Sequence, residues 1–257
     1  MIKKAALAAA LAVSSSFATW DLYPVQDAGK GEAKLSFANY WMSNKGGIGV
    51  FTLGARYSVV NNLELALAIP YAPYDYDGKG NFHSFADGIG NLTAMARYQF
   101  LPNINGFLDV TFPVGNESLV GSDGEFKFHF GGQYSQKFGM VDFGSELGLQ
   151  LETYGEDEVT PPRKLNAAVE TDFVLGGMFT PFVRLDFVMN LGRYTAESGR
   201  HSGSYTGYFN LIPDVGVNVN LTQNFTLAAE FGAETGWYGD GLLDPLYHVG
   251  VSASYKF

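Results

Sequence analysis

Cysteine is missing from all 257 residues, and with it go disulfides, thiolate nucleophiles and Cys-ligated metals. Long apolar runs are missing too. Past the first residues no segment approaches about eighteen consecutive apolar side chains, which excludes helical membrane spans. Positive charge is scarce, with 16 Lys and Arg against 26 Asp and Glu and a formal charge of -10. That balance argues against a nucleic-acid partner and against attachment through anionic lipid head groups. Glycine, at 32 residues, and aromatics, at 15%, are what the chain has in plenty. A chain of this composition with no helical period is either an all-β soluble domain or a β-barrel in a membrane.

The amino terminus reads as a segment to be removed. Lys3 and Lys4 precede an apolar stretch at residues 5–13, and Ser16, Phe17 and Ala18 form a small-x-small cleavage site. Together they predict a secretory signal peptide over residues 1–18 and a single domain over 19–257. Losing two lysines and no acid takes the formal charge from -10 to -12.

From residue 33 onward the sequence alternates with period two. Residues 33–41 place Ala33, Leu35, Phe37 and Trp41 on one face against Lys34, Ser36, Ala38 and Tyr40. The pattern returns at 51–59, 63–71, 92–100, 108–114, 126–131, 141–152, 166–175, 183–190, 209–220, 225–231 and 246–257. That predicts about twelve strands. After a first short turn at 43–47, short connections alternate with long loops at 72–87, 115–124, 153–164, 192–204 and 234–244. Short turns on one side and long loops on the other are the habit of outer-membrane barrels. The predicted fold is all-β: a transmembrane antiparallel up-and-down β-barrel.

Alternation alone leaves open which face looks outward. A twelve-stranded barrel is too wide for side chains to fill, and small groups such as Ala66, Gly144, Gly148 and Gly216 facing in would leave it hollow. The apolar faces are therefore expected to meet lipid. Trp41, Tyr57, Tyr71, Tyr98 and Tyr255 lie near strand ends, where an interfacial girdle belongs.

The last stretch, residues 246–257, puts Tyr247, Val249, Val251, Ala253, Tyr255 and Phe257 on one face. It resembles the closing strand of bacterial outer-membrane β-barrels. That resemblance implies pairing with the first strand and a terminal signal, Tyr255 and Phe257, read by the barrel-insertion machinery. Further pieces lie at Ile69-Pro70-Tyr71, at Gly88-Ile89-Gly90-Asn91-Leu92 leading to Ala96-Arg97-Tyr98, and at Phe112-Pro113-Val114-Gly115. In them the chain resembles the transporter-like barrels of the MetA pathway of phenol degradation, with Asn91 and Val114 in place of that family's Asp and Thr. The resemblance implies passage of small solutes in the outer membrane of a Gram-negative bacterium, with outer-membrane lipid as surroundings.

Candidate chemistry concentrates on the polar face. Glu64, Asp109, Asp142, Glu146, Glu152, Glu170, Asp172, Asp186, Asp214 and Glu230 share it with Arg56, Arg97, Lys127, Arg184 and Lys256. Ten acids against five bases predict a cation-favouring lumen. The alternative is that these charges pair and plug the barrel. Two other functions compete with a channel. One is a non-transporting barrel whose Tyr-rich loop at 72–87 binds a surface partner; the other is an outer-membrane lipid-modifying enzyme. The enzyme needs a Ser and a His in hydrogen-bond reach. His248 and Ser252 share a face but sit about 13 Å apart along a strand, and His83-Ser84 and His201-Ser202 lie in polar loops. No catalytic residue, metal ligand or cofactor is expected. Asp75-Tyr76-Asp77-Gly78-Lys79-Gly80 lacks the further acids of a calcium loop and reads as a solvated acidic turn.

Overall fold

A computed structural model describes residues 20–43, 45–84, 88–115, 124–155, 159–196, 201–204, 207–238 and 241–257. The expected signal peptide at 1–18 and parts of the five long loops (85–87, 116–123, 156–158, 197–200 and 239–240) lie outside the described residues.

Twelve long strands build the described barrel. They are β1 Gly31–Met42, β2 Gly46–Val60, β3 Leu63–Asp77, β4 Leu92–Leu101, β5 Ile104–Phe112 and β6 Lys127–Phe138, then β7 Val141–Glu152, β8 Lys164–Phe173, β9 Phe179–Asn190, β10 Phe209–Asn220, β11 Phe225–Tyr238 and β12 Leu246–Lys256. Each pairs antiparallel with its neighbours in sequence. β1 also pairs with β12, from Glu32 opposite Lys256 to Met42 opposite Leu246. That ladder closes the sheet, and closure leaves no strand edge in hydrocarbon. Just beyond it, Phe257 and Gly31 exchange two backbone hydrogen bonds, at 2.9 and 3.0 Å.

The faces are inverted relative to a soluble protein. Leu53, Leu147 and Val251 are 58, 59 and 52% exposed, whereas Glu64, Asp109 and Arg97 are 2, 1 and 2% exposed. In water this arrangement would forfeit the apolar contribution of about 25 cal/mol per Å²; in acyl tails it costs nothing. Tyr57, Tyr98 and Tyr255 stand outward near the short-turn end, 45, 47 and 53% exposed. At the long-loop end Trp41 stacks on Tyr247, ring centroids 5.9 Å apart.

Several strands outrun their sequence pattern at the long-loop end. β2 begins at Gly46 and β3 runs to Asp77, paired Gly46 to Asp77 and Gly47 to Tyr76, although 43–47 reads as a turn and 72–87 as a loop. β11 likewise continues to Tyr238 rather than stopping near 231. Backbone pairing needs no hydrophobic alternation, so the ladder extends above the apolar belt where side chains no longer meet lipid. Polar contacts hold the extension: Tyr74 Oη donates to Asn39 Oδ1 and Asn39 Nδ2 donates to Tyr76 Oη, at 3.4 and 3.1 Å. A Lys45–Asp244 ion pair joins the first and last loops.

Candidate functional site

The lumen is divided. A segment ahead of β1 enters it from the short-turn end and docks on one wall, leaving the opposite wall lined by space. Asp21 sits at the centre of this segment. Its carboxylate accepts from Arg56 Nη1 and from Arg97 Nη1, the latter at 2.8 Å. Burial alone would raise that carboxyl, but Arg56 and Arg97 outweigh it and hold the group far below the usual carboxylate range. Arg97 Nη1 also donates to the Asp21 and Tyr23 carbonyls, both at 2.9 Å, and Gln133 Nε2 donates to the Asp21 carbonyl at 3.1 Å. The Trp20 ring lies over the Arg56 guanidinium, 5.6 Å from its carbon to the ring centroid.

Two glycines make room for the segment. A Cβ at Gly54 would fall 2.5 Å from the Trp20 ring, and one at Gly144 would fall 2.7 Å from Leu22 Cβ. Leu22 is fully buried. Gly144, a small inward residue that suggests a hollow barrel, thus proves, together with Gly54, to be the bed of the docked segment. Gly148 and Gly216 are filled as well, by His129 with Phe107 and by Phe182.

On the wall built by β2 to β7 the buried charges are matched. Arg97 Nη2 lies 2.6 Å from Glu64 Oε1, and Arg56 holds Glu32 while standing 3.7 Å from Glu64. Asp109 meets His129 Nδ1 at 3.3 Å, and Glu146 accepts from Gln133 Nε2 at 2.7 Å while lying 3.6 Å from His129 Nε2. Near the long-loop end Lys127 pairs with Glu125 at 3.1 Å and Glu152 with Lys164 at 2.6 Å. At the short-turn end Asp142 pairs with Lys137 at 3.2 Å. The Arg97–Glu64 and Arg56–Glu32 pairs, buried on both sides, are costly to break, by about 3–5 kcal/mol when one partner is removed, whereas the exposed Lys137–Asp142 pair is not.

On the opposite wall the matching runs out. Arg184 is committed to Glu170 and Asp186, at 3.3 and 2.9 Å. Among the described residues the one ion pair of Asp214 is with His248 Nε2, at 3.0 Å. Asp172, Glu230 and Lys256 have no ion-pair partner within 4.0 Å among the described residues. A cavity of about 700 Å³ runs along this side, lined from Leu246 to Lys256, the two ends of β12. It carries nine acids, including Asp142, Asp172, Asp214, Glu230 and Glu234, against Lys34, Arg56, Arg184, Lys256 and His248. At its long-loop end Ile48, Val50 and Ala72 form a buried apolar cluster with Tyr40 packed against it.

The docked segment, Glu32, Glu125 and Glu234 are site features that alternation did not single out. Trp20 and Tyr23 around Asp21, just past the expected cleavage site, are the one sign in the sequence that the docked segment needs burial. The inward apolar groups Met95, Phe107, Phe182 and Ile212, all at most 9% exposed, also break the polar-face pattern.

No hydrolytic constellation assembles among the described residues. His83, His129 and His248 each pair with a carboxylate, Asp75, Asp109 and Asp214, rather than with a serine. The Asp77 carboxylate accepts from the Lys79 and Asn81 amides at 2.8 and 3.0 Å, so the acidic turn is closed by its own backbone. The three short motifs at 69–71, 88–92 and 112–115 meet in space. Ala72 N donates to the Gly88 carbonyl and Gly90 N to the Pro70 carbonyl, at 2.7 and 2.8 Å, and Gly115 N donates to Asn91 Oδ1 at 3.0 Å.

No family model and no curated protein matches the chain. Solved structures do match. The COG4313 outer membrane channel from Pseudomonas putida F1 superposes with a TM-score of 0.70 at 11% identity, over 91% of this chain and 98% of that one. The NanC porin gives 0.60 at 8% identity, over 88% of this chain and 100% of the porin. The translocator domain of the autotransporter NalP from Neisseria meningitidis gives 0.59 at 12%, over 98% and 97%. At such identities the likeness is one of architecture: the chain folds as an outer-membrane β-barrel.

Proposed function

We propose that the chain is a narrow outer-membrane channel for passive passage of small solutes, favouring cations, and not an enzyme. The route follows the cavity along β8 to β12 and β1, past the docked amino-terminal segment. One observation carries the reading: nine acids line that cavity against four Lys and Arg. Excess charge of one sign in a low-dielectric passage enriches counter-ions and sets selectivity. Ten of the fifteen predicted lumen residues take one of two roles under this reading. Arg56, Glu64, Arg97, Asp109, Lys127, Glu146 and Glu152 stabilise the filled half, whereas Asp172, Asp214 and Glu230 supply the field along the open half. Tyr255 and Phe257 serve closure and recognition by the insertion machinery, and the outward apolar belt contacts outer-membrane lipid.

Single-channel recording in planar bilayers under a KCl gradient tests this. The expected result is small conductance steps with a reversal potential on the cation side. Anion selectivity would overturn the charge assignment, and a silent, correctly folded barrel would overturn the channel itself in favour of a non-transporting barrel.

A further inference from the structure

The acids on the open wall are not scattered. Glu234 and Glu230 lie on one face of β11, and Asp214 of β10 stands opposite Gly232, midway between them. Three carboxylates thus follow one another along the passage at steps of about 7 Å, two residues of strand each. Glycines across the ladder let two of them lie along the wall. A Cβ at Gly232 would fall 1.7 Å from Asp214 Oδ1, and one at Gly250 would fall 2.5 Å from Glu230 Oε1.

Glu234 is the telling member. It is 6% exposed; Oε1 accepts from Asn210 Nδ2 at 2.6 Å, while Oε2 is buried with no hydrogen-bond partner. An orphaned carboxylate oxygen on a residue that borders a cavity is expensive unless something charged or hydrogen-bonding arrives to satisfy it. The nearby bases are committed to other acids, His248 to Asp214 at 3.0 Å, Lys164 to Glu152 and Arg184 to Glu170 and Asp186, so none of them hydrogen-bonds Glu234 Oε2. Tyr40 adds an aromatic face beside the row, its ring centroid 5.4 Å from that of His248, and Leu246 adds a buried apolar surface.

We propose that this row is a binding site for a linear aliphatic di- or polyamine, the solute class that the channel conducts or is blocked by. The inference rests on the channel reading for the solute's route. Successive ammonium groups on short methylene spacers match a row of carboxylates better than a compact ion does. Among the described residues no three His, Asp or Glu side chains converge as a metal ion requires. The methylenes would run past Tyr40 and Leu246, and a terminal ammonium would donate to Glu234 Oε2. The cavity, at about 700 Å³, falls in the range that small-molecule sites occupy.

The test uses the full folded barrel and spermine as probe, with two independent readouts. Calorimetry in detergent at matched ionic strength measures binding, and bilayer recording measures block of the K⁺ current. Binding is expected in wild type and should weaken about tenfold in Glu234→Gln and again in Glu230→Gln, since each removes a charge-assisted hydrogen bond. Current block should weaken in parallel, with retained heat-modifiable migration confirming a folded barrel. Equal spermine affinity in wild type and both variants, or affinity reproduced by KCl alone, overturns the site. Conductance without spermine binding overturns the site and leaves the channel standing. Binding lost in the variants, in a barrel without conductance, keeps the amine site and overturns the channel.

Discussion

Replacing Asp21 by Ala should release the amino-terminal segment from the lumen wall. The carboxylate bridges Arg56 and Arg97, 6 and 2% exposed, and these two guanidiniums keep Glu32 and Glu64 when it is gone. The loss is therefore smaller than for a charge stranded without partners, and sits near the low end of the about 3–5 kcal/mol range for a broken buried pair. About 3 kcal/mol is roughly a hundredfold change in the docked-to-undocked ratio. Because the chain contains no cysteine, a single Leu22→Cys reporter is unambiguous. Leu22 is fully buried against Gly144, so the thiol should react slowly with a maleimide in the otherwise wild-type barrel. In the Asp21→Ala background the rate should rise about a hundredfold. Conductance should rise alongside it. Unchanged labelling with a larger conductance, or rapid labelling of the parent, would refute the docking assignment. The pH dependence follows from the depressed carboxyl. Docking stability is present above the ordinary Asp range and is lost only as pH falls through the lowered value. Labelling of the parent should accordingly stay slow across mildly acidic to neutral pH.

Two further outcomes probe the barrel itself. Leu147→Arg, on the lipid face at 59% exposure, should destabilise the folded barrel by about 2–4 kcal/mol in chemical denaturation from bilayers, as Arg does at midplane depth; an unchanged midpoint would place Leu147 outside hydrocarbon. Phe257→Ala should slow assembly into vesicles by the insertion machinery while leaving the β1–β12 ladder of the folded product intact. Equal assembly rates for the two proteins would remove Phe257 from recognition.

Strand identity, face assignment and closure were legible because they rest on local or terminal signals. Leu63, Leu65 and Leu67 opposite Glu64 and Ala66 declare a strand with one lipid-facing side, and residues 246–257 show a strand by alternation and a closing strand by the resemblance of their Tyr255 and Phe257 ending to outer-membrane barrel termini. Where the alternation faded, as at 46–50, 72–77 and 232–238, the strands were cut short, since backbone pairing continues without any pattern in the side chains.

The sequence by itself determined which side chains point inward, because a period of two is a property of the extended backbone. Only the tertiary structure decided what those side chains meet. Arg97 finds Glu64, Asp21 and Gln133 from three separate segments, and Gly54 and Gly144 find Trp20 and Leu22, across distances along the chain that no local pattern encodes. Whether an inward acid is neutralised or left to face a passage depends on which strand curves around to oppose it, and curvature belongs to the closed sheet.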